Sequence, residues 1–409
     1  MKLAFLSASG EMGGAERSLY DVLASLRAAR PLWELTLVVP RAGALAERAG
    51  RLGVRVLVVE FPRALARLGD AGAGGPAGRR VGRTKFSLDV AAAAPGVLLY
   101  LSRLRRVLRS VAPDVVHANG LKPQVLAAWA QAKGRPPVVW HVHDYVGRRP
   151  LMARLVKRCA PRCEAALVNS LSVGEDLRAV CGEGLKTRVL YNAVDLENFS
   201  PSGGRLDLDS LSGLPPAAPG TVRVGLLATA ARWKGHETFL RSLSILPTDT
   251  PVRGYVIGGS IYRTRGSQLG ERELRECAAR LGLEGRVGFT GFVEDPASAI
   301  RALDVLVHAS TEPEPFGLAI VEGMACGRSV VASSSGGAAE ILDGCEAALT
   351  HAPGDADALS VQIGRLARSA ELRTSFGRAG RLLAERRFDR ARLAAELIPV
   401  YTEAARRAS

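Results

Sequence analysis

The amino-acid sequence predicts an α/β protein built on parallel sheets, and three observations carry that expectation. Short, continuously apolar runs recur along the 409 residues and alternate with longer helical patterns. Uninterrupted apolar strands separated by helices mean sheets covered on both faces. The length exceeds what one core ordinarily serves, so two domains of about 200 residues are expected. Ser200–Gly220 (SPSGGRLDLDSLSGLPPAAPG) is rich in Pro, Gly and Ser and reads as the linker between them.

In the first half the strand candidates are LAFLSAS, LTLVVP, VRVLVVE, DVVHANG, PVVWHVHD, AALVNS and TRVLYNAV. In the second they are VRVGLLAT, VRGYVIGGS, RVGFTGF, DVLVHAS, SVVASS and AALTHA. The expected division is a first domain over 1–200, a linker over 201–220 and a second domain over 221–387. Ligands of such sheets sit at the carboxyl ends of the strands, so the loops that follow the strands are where chemistry is expected. A Gly- and Arg-rich stretch, Asp70–Gly82, reads as a mobile loop.

The net charge of +15 is uneven: residues 1–200 carry a net +14 and residues 201–409 a net +1. A basic surface in the first half fits anionic lipid headgroups, a phosphorylated acceptor or nucleic acid. No basic motif interleaved with aromatics is present, which argues against nucleic acid. The six cysteines show no CxxC and no zinc spacing, so reduced thiols in a cytosolic protein are expected. MKLAFLSASG is too short for a signal peptide. Val90–Leu101 is broken by Pro95–Gly96 and falls short of a membrane span. The protein is expected to touch a membrane without crossing it.

The most informative stretch is 304–327, DVLVHASTEPEPFGLAIVEGMACG. A short strand runs into a loop with Glu312, Glu314, Phe316 and Gly317, and a helix then carries Glu322. The open N–H groups at Phe316–Leu318 make an anion site. Carboxylates on either side of it could accept hydrogen bonds from ligand hydroxyls. That combination suits a nucleotide sugar; helix-dipole glutamates and a solvated helix position explain the same residues. Counted as helix, Glu314 to Glu322 is roughly 12 Å of rise, wider than the roughly 5–9.5 Å that hydrolase carboxylates need.

Other loops add to this. Ser9–Arg17 places Gly13 and Gly14 between the first strand and a helix, where backbone can approach a phosphate, though the spacing is not GxGxxG. Arg232, Lys234 and Gly235 follow the first strand of the second half and suit a diphosphate, or a solvated loop. His141 and His143 share one strand face; no third metal ligand is evident, and His143 beside Asp144 could orient or deprotonate a hydroxyl. Ser333–Glu340 is a further strand–Gly loop–helix. Asp207-Leu208-Asp209 reads as solvated charge rather than a metal site. In Arg148–Cys163, Leu151, Met152, Leu155, Val156 and Cys159 fall on one helical face and Arg154, Lys157, Arg158 and Arg162 on the other. That pattern fits a helix lying on an anionic membrane and equally a core-packed helix with a solvated basic face.

Taken in order, these segments resemble glycosyltransferase family 4, with the GT-B fold, over nearly the whole chain. The resemblance rests on Gly13-Gly14-Ala15-Glu16, His143-Asp144, Val168-Asn169-Ser170, Tyr191–Asp195, Lys234-Gly235, Glu314–Glu322 and Gly336-Gly337 with Glu340. It implies two Rossmann-like domains facing a central cleft, with a C-terminal helix of about 388–409 packed back on the first. It implies a hexosyl-type transfer from a nucleotide-diphosphate sugar with retention and without a metal. The acceptor would be a saccharide or lipid-linked saccharide, in polysaccharide or cell-envelope glycan synthesis at the inner face of the membrane. Glu314 would meet donor sugar hydroxyls and Glu322 the ribose. Lys234, the backbone at Phe316, Gly317 and Leu318, and the Gly13–Gly14 loop would hold the diphosphate, with His143 on the sugar and acceptor side. The chain departs from the family pattern at Thr229, where an Arg is usual and for which Arg232 is the nearby basic residue, and at Ser329, where Pro is usual. A nucleotide-sugar epimerase and a catalytically silent binding subunit on the same fold are the rival readings.

Overall fold

A computed structural model describes residues 1–62, 83–131, 136–259, 269–344 and 346–408. The stretch Asp70–Gly82 lies outside the described residues. The chain forms two compact units, Met1–Tyr191 with Arg390–Ser409, and Asn192–Asp389.

The first unit holds strands β1 (Lys2–Ser7), β2 (Glu34–Val39), β3 (Arg55–Val58), β4 (Val115–Asn119), β5 (Val138–Val142), β6 (Cys163–Val168) and β7 (Thr187–Val189). Helices α1 (Gly14–Ala29), α2 (Ala44–Arg51), α3 (Arg83–Val111), α4 (Leu121–Ala130), α5 (Pro150–Cys159) and α6 (Leu171–Cys181) connect them. Its sheet is parallel, in the order β3-β2-β1-β4-β5-β6-β7. The second unit holds β8 (Val222–Leu227), β9 (Val252–Ile257), β10 (Val287–Gly291), β11 (Val305–His308), β12 (Ser329–Ser333) and β13 (Leu349–His351). Its helices are α7 (Leu208–Leu211), α8 (His236–Ile245), α9 (Glu271–Arg280), α10 (Pro296–Arg301), α11 (Leu318–Ala325), α12 (Gly337–Leu342), α13 (Ala356–Arg368) and α14 (Ala370–Arg387). The order here is β10-β9-β8-β11-β12-β13, again parallel. Each expected strand segment is present, because VVHAN, VVWHV, VLVH and SVVAS are buried at every position and need helices on both sides.

Strand order reverses between β1 and β4 in one unit and between β8 and β11 in the other. A doubly wound sheet opens its ligand crevice at that switch, at the carboxyl ends of the strands. The loops that leave β8 and β11 are Ala228–Gly235 and Ala309–Gly317, which carry the residues singled out from the sequence.

α15 (Arg392–Ala408) belongs to the first unit, where it packs on α1, β4, β5 and β6. Ser25 Oγ accepts from Ala394 N at 3.0 Å, and Tyr401 is fully buried.

Three local expectations differ from the structure. α3 runs through Pro95 rather than breaking there. The Pro/Gly-rich stretch 200–220 belongs to the second unit, where Arg301 donates to Gly204 O at 2.7 Å and to Asn198 O at 3.0 Å. Asp209 is not solvated: it is 5% exposed and accepts from Tyr255 Oη (2.5 Å), Arg253 (2.7 Å), Arg223 (3.2 Å) and Ala217 N (3.0 Å). Burial works to raise its pKa, but these donors overcome it and hold the carboxyl well below the usual carboxylate range. The charge in this loop is a fastener, satisfied from four directions.

Candidate functional site

In the second unit the loops after β8 and β11 bring Lys234 and Glu314 together. Lys234 ends a one-turn 3₁₀ segment, Arg232–Lys234, and Gly235 follows it at φ 74°. A Cβ on Gly235 would lie 1.8 Å from Ala309 O, so only glycine lets the β8 loop press against the end of β11. Lys234 Nζ then donates to both oxygens of Glu314, at 2.8 and 2.7 Å.

Glu314 is fixed at its backbone by the next loop. Its N–H donates to Ser335 O at 3.3 Å and its carbonyl accepts from Gly337 N at 2.7 Å. A Cβ on Gly337 would come within 2.3 Å of Pro315 O, so the close approach of Ser333–Glu340 requires glycine there. Glu314 is buried; besides Lys234 its carboxylate accepts from Ser310 Oγ (2.7 Å) and His308 Nε2 (3.2 Å). Burial would raise its pKa, yet Lys234 and His308 drive it well below the carboxylate range. It is a permanent anion in the resting protein.

Phe316 is buried, Gly317 is left-handed (φ 105°), and α11 begins at Leu318. Glu322 lies one turn further on, 3% exposed. Glu312 is exposed. Arg232 points elsewhere: its guanidinium donates to both oxygens of Glu273 on α9, at 2.8 and 3.2 Å. Beside the turn is a hollow of about 240 Å³ lined by Ala230, Val256, Gly258, Leu269, Leu274 and Phe289.

In the first unit Gly13 caps α1 and Gly14 opens it. Burial pushes the Glu16 carboxyl up to about 7, against hydrogen bonds from the Glu16 and Gly13 N–H groups. His143 leaves the end of β5, but its partner is not Asp144, which pairs with Arg149. His143 Nε2 meets Asn119 Oδ1 at 2.7 Å, while Asn119 Nδ2 donates to Ala15 O at 3.1 Å. With the amide committed that way, Nε2 carries the imidazole proton and Nδ1 is the lone-pair nitrogen. The rings of His141 and His143 lie 4.0 Å apart, and among the described residues no three His, Cys, Asp or Glu converge on a metal position.

α5 does not divide as its periodicity predicts. Val156 and Cys159 are buried, while Leu151 (48% exposed) and Leu155 (36%) lie in the solvent among exposed Arg154, Lys157 and Arg158. α4 packs between α3 and α5. No carboxylate occurs in Pro95–Val111, Leu121–Ala130 or Pro150–Arg162, and α3 exposes Leu98, Leu99, Arg103 and Arg106. No helix among the described residues is long and apolar enough to cross a membrane.

Sequence reasoning missed Asn119, His308 and Ser310. The latter two stand in the stretch 304–327, where polar side chains at the end of a buried strand were the available signal.

Two family models match the chain: Glycosyltransferase Family 4 over residues 12–198 and Glycosyl transferases group 1 over residues 219–383. A lipopolysaccharide core biosynthesis mannosyltransferase, LpsB of Rhizobium meliloti, is 28% identical over 53% of this chain and 64% of its own length. A phosphatidyl-myo-inositol mannosyltransferase of Mycobacterium leprae is 29% identical over 73% of this chain and 76% of its own. The chain thus spans less than two thirds of the first of these relatives. Among solved structures, Anabaena HepE in complex with UDP and glucose superposes with a TM-score of 0.78 at 25% identity, over 98% of this chain and 99% of that one. Both units therefore have the Rossmann-like folds of GT-B glycosyltransferases.

Proposed function

The chain belongs to the family 4 glycosyltransferases, and from that premise we propose that it moves a hexosyl group from a nucleoside diphosphate sugar to a saccharide or lipid-linked saccharide. The observation that carries this reading is the Lys234–Glu314 pair at the strand-order switch, beside the start of α11 and Glu322. Departure of a nucleoside diphosphate builds negative charge, and a lysine with oriented N–H groups stabilises that charge without a metal. Glu314 then takes sugar hydroxyls, Glu322 the ribose, and the hollow beside Ala230, whose lining also includes Glu271, the base. Retention of configuration and metal independence are part of the proposal. The LpsB and phosphatidyl-inositol relatives make a lipid-linked acceptor the first class to try.

Calorimetric titration with UDP, GDP and ADP and their common sugars in EDTA tests this. One diphosphate should bind tightly, and Glu322→Ala should weaken it. No binding at millimolar concentration would remove these residues from the donor site, and transfer with an inverted anomeric signal in the product's proton spectrum would remove retention.

Peripheral docking on an anionic membrane is the second part of the reading. It is supported by the exposed leucines and the carboxylate-free basic stretches Pro95–Val111 of α3 and Pro150–Cys159 of α5. Replacing Arg154, Lys157 and Arg158 by Glu should abolish sedimentation with vesicles containing anionic lipid and leave binding of nucleotide intact. Unchanged sedimentation would take α5 out of the surface.

A further inference from the structure

The two oxygens of Glu314 are held differently. Lys234 touches both, but Ser310 Oγ (2.7 Å) and His308 Nε2 (3.2 Å) converge on Oε2. Ser310 Oγ is also 3.1 Å from His308 Nε2. Because the Ser310 hydroxyl proton points to the carboxylate, its lone pair receives the His308 Nε2–H, which is thereby shared between Ser310 and Glu314. Nδ1 of His308 is buried and makes no hydrogen bond in the described structure, consistent with the proton on Nε2. Both residues are rigidly seated, Ser310 at 1% and His308 at 5% exposure. The carbonyl of His308 is in turn 3.3 Å from His351 Nε2 on β13.

Lys234 has two claims upon it. In the resting protein it neutralises Glu314; in the donor complex it serves the diphosphate, an inference that rests on the function proposed above. A buried carboxylate that shared its lysine with an incoming dianion would be left short of counter-charge and free to rotate. We propose that His308 and Ser310 are positioning residues for the transfer, anchoring Oε2 of Glu314 so that Lys234 can turn to the diphosphate while Oε1 stays aimed at the sugar. Neither touches the donor. They act through Glu314, holding its rotamer and its charge when its cation is drawn away.

The signature is a split between nucleotide and nucleotide sugar. A free nucleoside diphosphate also draws Lys234 away but has no hexose for Glu314 to hold, so Ser310→Ala and His308→Met should weaken it only a few-fold, clearly less than they weaken use of the nucleotide sugar. The same variants should lose about 10- to 100-fold in turnover of the nucleotide sugar. His308→Gln, whose amide N–H can replace Nε2–H, should recover part of that loss. Lys234→Met, by contrast, should weaken both ligands. Ser310→Ala is the decisive variant should His308→Met fail to fold, since it removes one hydroxyl. Parental turnover in Ser310→Ala overturns the proposal while leaving the function standing, and so does equal weakening of diphosphate and nucleotide sugar. A parent protein that binds no nucleoside diphosphate overturns both.

Discussion

Lys234→Met should lower kcat/KM by about 10²- to 10³-fold, roughly 3–4 kcal/mol of transition-state stabilisation. Lysine is 20% exposed and its partner carboxylate 8%, so the pair sits where the solvent screens it poorly. Removing the ammonium has two consequences that a surface ion pair would not show. The leaving diphosphate loses its counter-charge, and Glu314 loses the cation that outweighs its burial. With only His308 and Ser310 left to oppose desolvation, the Glu314 pKa must rise. A group that is ionised to far below neutrality in the parent then begins to protonate nearer to it. The acid limb of residual activity should therefore move to higher pH in Lys234→Met, and Glu314→Gln should show no such limb. Kinetics between pH 5 and 8 on both variants read the effect directly. A Lys234→Met enzyme with unchanged kcat/KM would remove the lysine from the chemistry and leave the pair as a purely structural contact.

Lys234 and Glu314 were legible in the sequence because each follows a buried strand by a few residues, and Glu322 because it lies in the helix that the second of these loops enters; the strands were legible because their apolar runs are uninterrupted. Their mutual arrangement was not. Lys234 and Glu314 are 80 positions apart and meet because β8 lies beside β11, and strand order is a property of tertiary packing that no local pattern states. Asp209 failed for the same reason: an Asp-x-Asp in a Pro/Gly-rich stretch looks solvated until Arg253 and Tyr255 of β9 arrive from 44 and 46 residues away. His143 was legible at the end of a buried strand, but its hydrogen-bond partner, Asn119, ends the adjacent strand and no local pattern names it. Pro95 was read as a break, yet α3 continues through it. The apolar residues of α5 obeyed helical periodicity and still split, Val156 and Cys159 to the core and Leu151 and Leu155 to the solvent, since a ten-residue helix offers its neighbours a narrower stripe than its apolar residues span.

Acid should unfold the first unit well before neutral-pH stability would suggest. His117 on β4 and His141 on β5 are both fully buried, and their rings lie 5.2 Å apart. His117 Nδ1 is hydrogen-bonded to Tyr401 Oη on α15 at 2.8 Å, but neither nitrogen of His141 has a partner. Burial, then the neighbouring imidazoles, push His117 down to about 3 and His141 well below its ordinary 6.5. His143, less completely enclosed, is also lowered to about 3. The unfolded chain binds protons at these histidines near pH 6.5 while the folded one refuses them. Their contribution is therefore intact above pH 6.5 and is lost as the pH falls from there toward 3. At pH 5 His117, held near 3, costs about 2 kcal/mol, and His141 adds to it in the same direction. Glu16 acts in the opposite sense. Its folded pKa of about 7 lets the native state take up a proton first, returning about 2 kcal/mol over the same interval. The histidines win, and the net loss should deepen below pH 5 as Glu16 saturates. Urea melts followed by tryptophan fluorescence at pH 7.5, 6, 5 and 4 give the slope, with Trp33, Trp129 and Trp140 reporting on this unit. His141→Phe keeps the ring, removes two unsatisfied nitrogens and abolishes one titration, so it should stabilise by about 1–2 kcal/mol at pH 7.5 and by more at pH 5. An equal gain at both pH values would mean that the folded unit already accommodates a charged imidazole at position 141, and the cluster would then be polar in a way its packing does not suggest.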